Sequence, residues 1–176
     1  MDQKEQIQQM RQMAVEQRRQ FYEENPDLAR WVKTKRVIRN IILIYWVLHT
    51  VLTIIVMLQM GSSGRIVLEI AKLLFQMLWI CAFVNPEGGW RFSLILYLWA
   101  LANFAMLLQQ GTSIMDSLAY ISYQPLYGII LIMEMLVPLL FLVIAIYLTA
   151  LPKSRELSER VYEMQKQISE NLKKLY

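Results

Sequence analysis

One cysteine, Cys81, and one histidine, His49, are all the chain has of either residue, and these two scarcities exclude several kinds of chemistry. A lone thiol forms no intramolecular disulfide and says nothing about redox compartment. One imidazole without a cysteine partner falls short of the three or four ligands that a zinc site takes, so no metal ligand is assigned. There is no glycine-rich phosphate loop, no GxSxG, no HExxH and no Asp-rich metal motif. No catalytic residue and no cofactor is therefore assigned, and the expectation is a protein that is not an enzyme. The polar first residues contain no apolar run of the kind that a cleaved signal peptide needs.

Charge is scarce where the chain is most apolar. Although 18% of the residues are charged, they sit mostly at the two ends, while 56% of the chain is hydrophobic and mean hydropathy is +0.34. A soluble domain would spread its charges. The net charge of +4 and pI near 9.2 invite a nucleic-acid reading. The basic residues flank apolar runs, however, and retention of positive charge on one side of a membrane accounts for them; no nucleic-acid partner is expected.

Four apolar runs are long enough to cross the roughly 30 Å hydrocarbon core of a bilayer at about 1.5 Å per residue. They lie at about 40–60, 65–84, 90–108 and 126–151, separated by a GSSG turn at 61–64, an Asn85-Pro86 and Gly88-Gly89 turn, and a longer connection from Gln109 to Gln124. The last connection contains Asp116 but no Lys or Arg, and its apolar residues predict a shallow interfacial or re-entrant helical turn around Ile114 to Ile121, anchored by Tyr120, Tyr123 and Tyr127. The fold expected is all-α, a four-transmembrane-helix bundle with amphipathic cytoplasmic helices at both termini. The divisions are 1–35, 36–151 and 152–176. In the arm, Ile7, Met10, Ala14 and Phe21 recur at helical spacing, and Asn25 before Pro26 is a suitable cap and first turn for a second helix.

Sixteen of the eighteen Lys and Arg residues fall in the arm, the 85–91 turn and the tail; Arg65 falls on the opposite side and Lys72 within a span. Both termini are expected in the cytoplasm, which agrees with an even number of spans, and the default location is a bacterial cytoplasmic membrane. In the tail, Leu157, Val161, Met164, Ile168 and Leu175 form a short heptad-like face. It is read as a surface for the N-terminal helix, a second copy or a partner protein. The eleven methionines are scattered and are read as packing filler.

Each span carries polar residues on one face. Tyr45, His49 and Thr53 share the first; Glu69, Lys72 and Gln76 the second; Ser93, Tyr97, Ala100 and Asn103 the third; Glu134 interrupts the fourth, one turn before Pro138. Measured from the span centres, His49 and Gln76 lie near the midplane, Asn103 and Lys72 about 4 Å toward the outer side, Glu134 about 6 Å and Glu69 about 9 Å. A charge so placed costs on the order of 3 kcal/mol, so these groups should face the bundle interior. The pairing expected is Glu134 with Lys72, with His49 and Asn103 completing hydrogen bonds. Pro138 cannot donate to the carbonyl of Glu134 and should kink the helix beside it.

Such a cluster serves either as structural glue or as a pathway. The first functional expectation is a non-enzymatic membrane subunit that assembles with itself or a partner through its membrane helices and C-terminal helix. The alternative is a small ion, proton or solute transporter or channel using Glu134, Lys72 and His49. A third is a membrane-embedded lipid or quinone enzyme with Glu134 and His49 as acid and base.

Overall fold

The computed structural model describes residues 3–61, 63–109, 119 and 123–174. Among them every regular element is helical: α1 (Gln3–Glu24), α2 (Pro26–Gln59), α3 (Ile66–Phe83), α4 (Ile95–Gln109, entered through a 3₁₀ turn at Trp90–Leu94), α5 (Pro125–Thr149) and α6 (Pro152–Lys174). Four helical stretches are long and apolar enough to cross a membrane, namely α2, α3, Trp90–Gln109 and α5. They coincide with the four expected spans. The interfacial turn expected at 114–121, with Asp116 and Tyr120, lies outside the described residues apart from Ala119, and so does Leu175.

The second part of the arm and the first span form one helix. α2 runs unbroken for 34 residues, roughly 51 Å at helical rise, so it outreaches a hydrocarbon core and projects at the end that carries Pro26. Pro26 occupies the first turn as expected, but Asn25 makes no side-chain cap to α2. Its Nδ2 donates to the Phe21 carbonyl at 3.0 Å, closing the end of α1, while its Oδ1 accepts from Arg160 at 3.1 Å. The other end of α2 is closed by Gly61, whose φ of +69° lies in the left-handed region where a Cβ is disfavoured.

α2 packs on both α3 and α5, and α4 packs closely on α5. On the small-residue face expected on the third span Ser93 and Ala100 are buried, with Ser93 Oγ donating to the Phe83 carbonyl of α3 at 3.0 Å, and the Tyr97 and Thr149 hydroxyls meet at 2.9 Å between α4 and α5. α3 is the least embedded helix; only 11% of its span is buried within the chain, against 28% for α2 and α5.

The continuous core lies toward the end of the bundle that carries the termini. Leu28, Val32, Ile42, Val84, Leu96, Phe141, Ala145, Leu148 and Val161 form it. There α6 folds back on α1, α2 and α5. The heptad-like face of the tail is consequently covered by its own chain: Val161, Met164 and Ile168 are buried and Leu157 packs against the core. Of the covers expected for this face, the N-terminal helix is among those found, together with α2 and α5. Heptad spacing identifies an apolar stripe without saying which surface will cover it, and the short turn at Ala150–Leu151 brings this stripe back onto α2. Of the α1 face, Phe21 packs on the core and Ala14 is half-buried; the side chains of Ile7 and Met10 are outside the described set.

Polar links hold the same end together. Lys35, 1% exposed, donates to the Gly88 carbonyl at 2.7 Å, and Trp31 Nε1 donates to Ser158 Oγ at 3.0 Å. Asn85 Oδ1 accepts from the Glu87 amide at 3.1 Å, an Asx turn that presents the Gly88 carbonyl. A Cβ on Gly88 would stand 3.1 Å from that of Asn85, so the approach is tight. Arg155 donates to the Thr149 carbonyl and lies 4.8 Å above the Trp90 ring.

Two substitutions probe this end of the molecule. Lys35→Met strands the buried Gly88 carbonyl and should cost about 1–3 kcal/mol, seen as a lower unfolding midpoint in detergent, whereas Lys33→Met on the exposed side should change little. Burial and then the charge of Glu87 push the Tyr22 hydroxyl from 10.0 up to about 12. The folded state therefore holds that proton more tightly than the unfolded chain. Its contribution is complete below pH 10 and is lost as pH rises through 12. Tyr22→Phe should remove this part of the alkaline destabilisation; an unchanged profile would refute the assignment.

Candidate functional site: a polar cavity among the spanning helices

Above the core, away from the termini, the four spans part around a cavity of about 370 Å³. α2 contributes Trp46 and His49, α3 Lys72 and Gln76, α4 Trp99, Ala102, Asn103, Met106 and Leu107, and α5 Glu134 and Val137. Five of the six polar cluster residues read from the sequence, His49, Lys72, Gln76, Asn103 and Glu134, thus line one space. Glu69 does not line it and stands beside it, through Lys72.

The pairing differs from the one expected. Glu134 meets His49, with Oε1 and Nε2 3.4 Å apart, and Lys72 meets Glu69 at 3.7 Å. Lys72 finds its carboxylate three residues back on its own helix, a contact that intrahelical spacing permits whatever the rotation of α5. Asn103 does not complete a bond to His49; its Nδ2 donates to the Trp99 carbonyl one turn back, at 2.7 Å. Pro138 is buried within an unbroken α5, and the Tyr45 hydroxyl donates to the Met133 carbonyl, next to the carbonyl that the proline cannot serve. Thr53 likewise returns its hydroxyl to the His49 carbonyl at 2.9 Å. The inward face of α2 is therefore satisfied at its hydroxyls.

The cavity lining is less completely satisfied. His49 is 5% exposed, yet Nε2 has no hydrogen-bond partner among the described residues: Glu134 lies within ion-pair reach but out of hydrogen-bond alignment. The indole nitrogens of Trp46 and Trp99 are buried and also lack partners among the described residues. Buried donors without acceptors are uncommon, and each such group calls for an explanation. On the open side, Lys72 is 52% and Glu134 37% exposed. Glu69 is more enclosed, at 16%.

Aromatic rings close the cavity toward the termini. Trp46 and Trp99 lie 6.5 and 6.2 Å from Phe141, and Trp79 lies 6.2 Å from Trp99. All four rings sit nearer the terminal end than the polar residue of their own helix. The two lining indoles were not picked out from the sequence. A signal was there: Trp46 precedes His49 by three residues and Trp99 precedes Asn103 by four, so each shares its polar neighbour's face. Among the described residues no three His, Cys, Asp or Glu side chains come together to hold a metal.

A double-mutant cycle tests the pairing. His49→Ala with Glu134→Gln should show coupling of about 1 kcal/mol in unfolding free energy, and Lys72→Met with Glu134→Gln much less. The reverse order would restore the Glu134–Lys72 pair. In comparisons with family models, with curated proteins and with solved structures, the chain matches none.

Proposed function

We propose that this chain is a small integral membrane protein that binds a polar small molecule among its spanning helices, the solute-carrier alternative for the cluster, without catalysing a reaction. One observation carries the proposal: His49, Lys72, Gln76, Asn103 and Glu134, drawn from all four spans, line a common cavity, in which His49 Nε2 has no hydrogen-bond partner among the described residues. Structural glue would have closed these groups on one another, because unpaired polar atoms among apolar helices are costly.

The charge bias supports a cytoplasmic side for both termini, with a bacterial cytoplasmic membrane as the default setting. In that orientation the aromatic floor faces the cytoplasm and the polar residues the outer half of the membrane. Transfer across the membrane then requires the floor of Trp46, Trp99 and Phe141 to part. Ala102, on the cavity wall, supplies the test. Native mass spectrometry of the protein taken from its own membrane should show a small-molecule adduct that Ala102→Trp loses by filling the space. An adduct equally present in both, or absent from both, contradicts the proposal.

The membrane-subunit reading keeps one supporting observation. α3 is little embedded, and its Lys72 is half exposed on the surface of a membrane helix, where a second copy or partner would cover it. Light scattering of the purified protein decides this: a stable multiple of 20.8 kDa, or a co-purifying protein, supports the subunit reading, and a monomer opposes it.

A further inference from the structure

Where the third span begins and the fourth ends, two arginines converge on one ring. The Arg91 guanidinium lies 5.9 Å and the Arg155 guanidinium 4.8 Å from the centroid of Trp90. Trp90 opens the stretch Trp90–Gln109 and Thr149 closes α5, so the group stands at the boundary of the membrane spans, the depth that tryptophan favours. Arg155 is held there. Its Nε donates to the Thr149 carbonyl, which leaves both terminal nitrogens of the fork without a protein partner among the described residues. Lys153, also exposed, adds a third positive charge in the first turn of α6, and that turn holds no acidic residue.

Retention of positive charge at one membrane face is served by freely solvated side chains, and it gives no reason for two like charges to gather on one ring. The ring attracts each cation without neutralising the pair. The chain supplies no counter-charge either: neither Arg91 nor Arg155 is ion-paired among the described residues, and Glu156 and Glu159, next along α6, pair with neither. The positive end of the α6 dipole adds to the repulsion. Such a group calls for an anion, and planar guanidiniums favour phosphate, whose oxygens they bind two at a time. Beside them the surface is apolar. Phe92 and Leu94, which follow Trp90 into the third span, are 53% and 43% exposed. A free phosphate gains nothing from that surface, whereas a phosphate carrying acyl chains covers it.

We propose that Arg91, Arg155 and Lys153, gathered about Trp90, form a headgroup site for an anionic glycerophospholipid of the leaflet at the terminal end of the bundle. Its phosphate lies against the two guanidiniums, with Lys153 adding to the attraction. Its acyl chains lie along Phe92 and Leu94. A lipid of no net charge brings a cation into the same group and is bound less tightly. The site is separate from the polar cavity and does not rest on the function proposed for it.

The test is native mass spectrometry of the full-length protein in mild detergent, titrated with dioleoylphosphatidylglycerol or dioleoylphosphatidylcholine, which share their acyl chains. The first phosphatidylglycerol adduct should form at a concentration roughly tenfold below that of the first phosphatidylcholine adduct. Arg91→Gln and Arg155→Gln should each weaken the phosphatidylglycerol adduct about fivefold, the effect of one basic residue at a membrane surface, and leave the phosphatidylcholine adduct unchanged. Lys166→Gln removes the same charge from an exposed position further along α6 and should change neither. Circular dichroism and gel filtration establish that each variant is folded. Arg91→Gln breaks no hydrogen bond among the described residues, so it carries the test if Arg155→Gln fails to fold. Equal affinity for the two lipids, or an equal loss in Lys166→Gln, overturns the site. Displacement of phosphatidylglycerol by inorganic phosphate at the same concentration overturns the lipid as its occupant.

Discussion

Polar side chains set among apolar helices must find partners inside the protein, and the arrangement of this bundle depends on how that demand is met. At the end carrying the termini many of these groups are paired, although Arg18 Nε, Arg39 Nε and Gln165 Nε2 are buried without a partner among the described residues. Lys35 donates a hydrogen bond to the Gly88 carbonyl, Trp31 donates one to Ser158, and Tyr97 and Thr149 bond to each other, so that end can be filled with Leu28, Ile42, Ala145 and Leu148 around these bonds. Above the ring layer the demand is met in part, and there the helices stand apart.

The difference follows from what each region can draw on. Near the termini α6 and the Asn85–Gly89 turn add hydroxyls, carbonyls and an Asx turn to the helices, and burying Val161, Met164 and Ile168 removes apolar surface from water, at about 1.5–3 kcal/mol for each side chain. Between the spanning helices that driving force is absent, because lipid is as apolar as leucine, and close approach relies on small residues. α4 has a small buried residue in Ala100, and its Tyr97 bonds across to Thr149 of α5. α3 has large exposed side chains, Leu68, Leu74, Phe75 and Leu78, and remains at the edge. A site bounded by one tight helix pair and one loosely placed helix results from that contrast.

Much of this could be read from residue order. Four apolar runs marked the four spanning helices, and the shared faces of His49, Gln76, Asn103 and Glu134 foretold that polar groups from every span would gather at one level. What residue order did not contain was rotation. Lys72 has a carboxylate three residues away on its own helix and another across the bundle, and only the relative turn of α3 and α5 decides between them. The tail's apolar stripe posed the same problem: spacing described Val161, Met164 and Ile168 as a face, while their cover came from α1 and α2, far away in sequence. Asn25 has standing as a cap by residue type, and it closes α1 where α2 was expected. The signal for Trp46 and Trp99 lay in their spacing from His49 and Asn103, since an apolar ring in an apolar run gives no contrast of its own.

The central claim is that a space open to small molecules lies among the spanning helices, and thiol reactivity measures it most directly. With the native exposed Cys81 replaced by alanine, Gln76→Cys puts a thiol on the cavity wall and Leu98→Cys puts one on the outward side of α4. A small water-soluble thiosulfonate, which needs the thiolate and hence water, should modify the thiol at 76 much faster than that at 98. Equal, negligible reactivity at both positions would mean that the polar residues are packed shut, and the binding account would be contradicted.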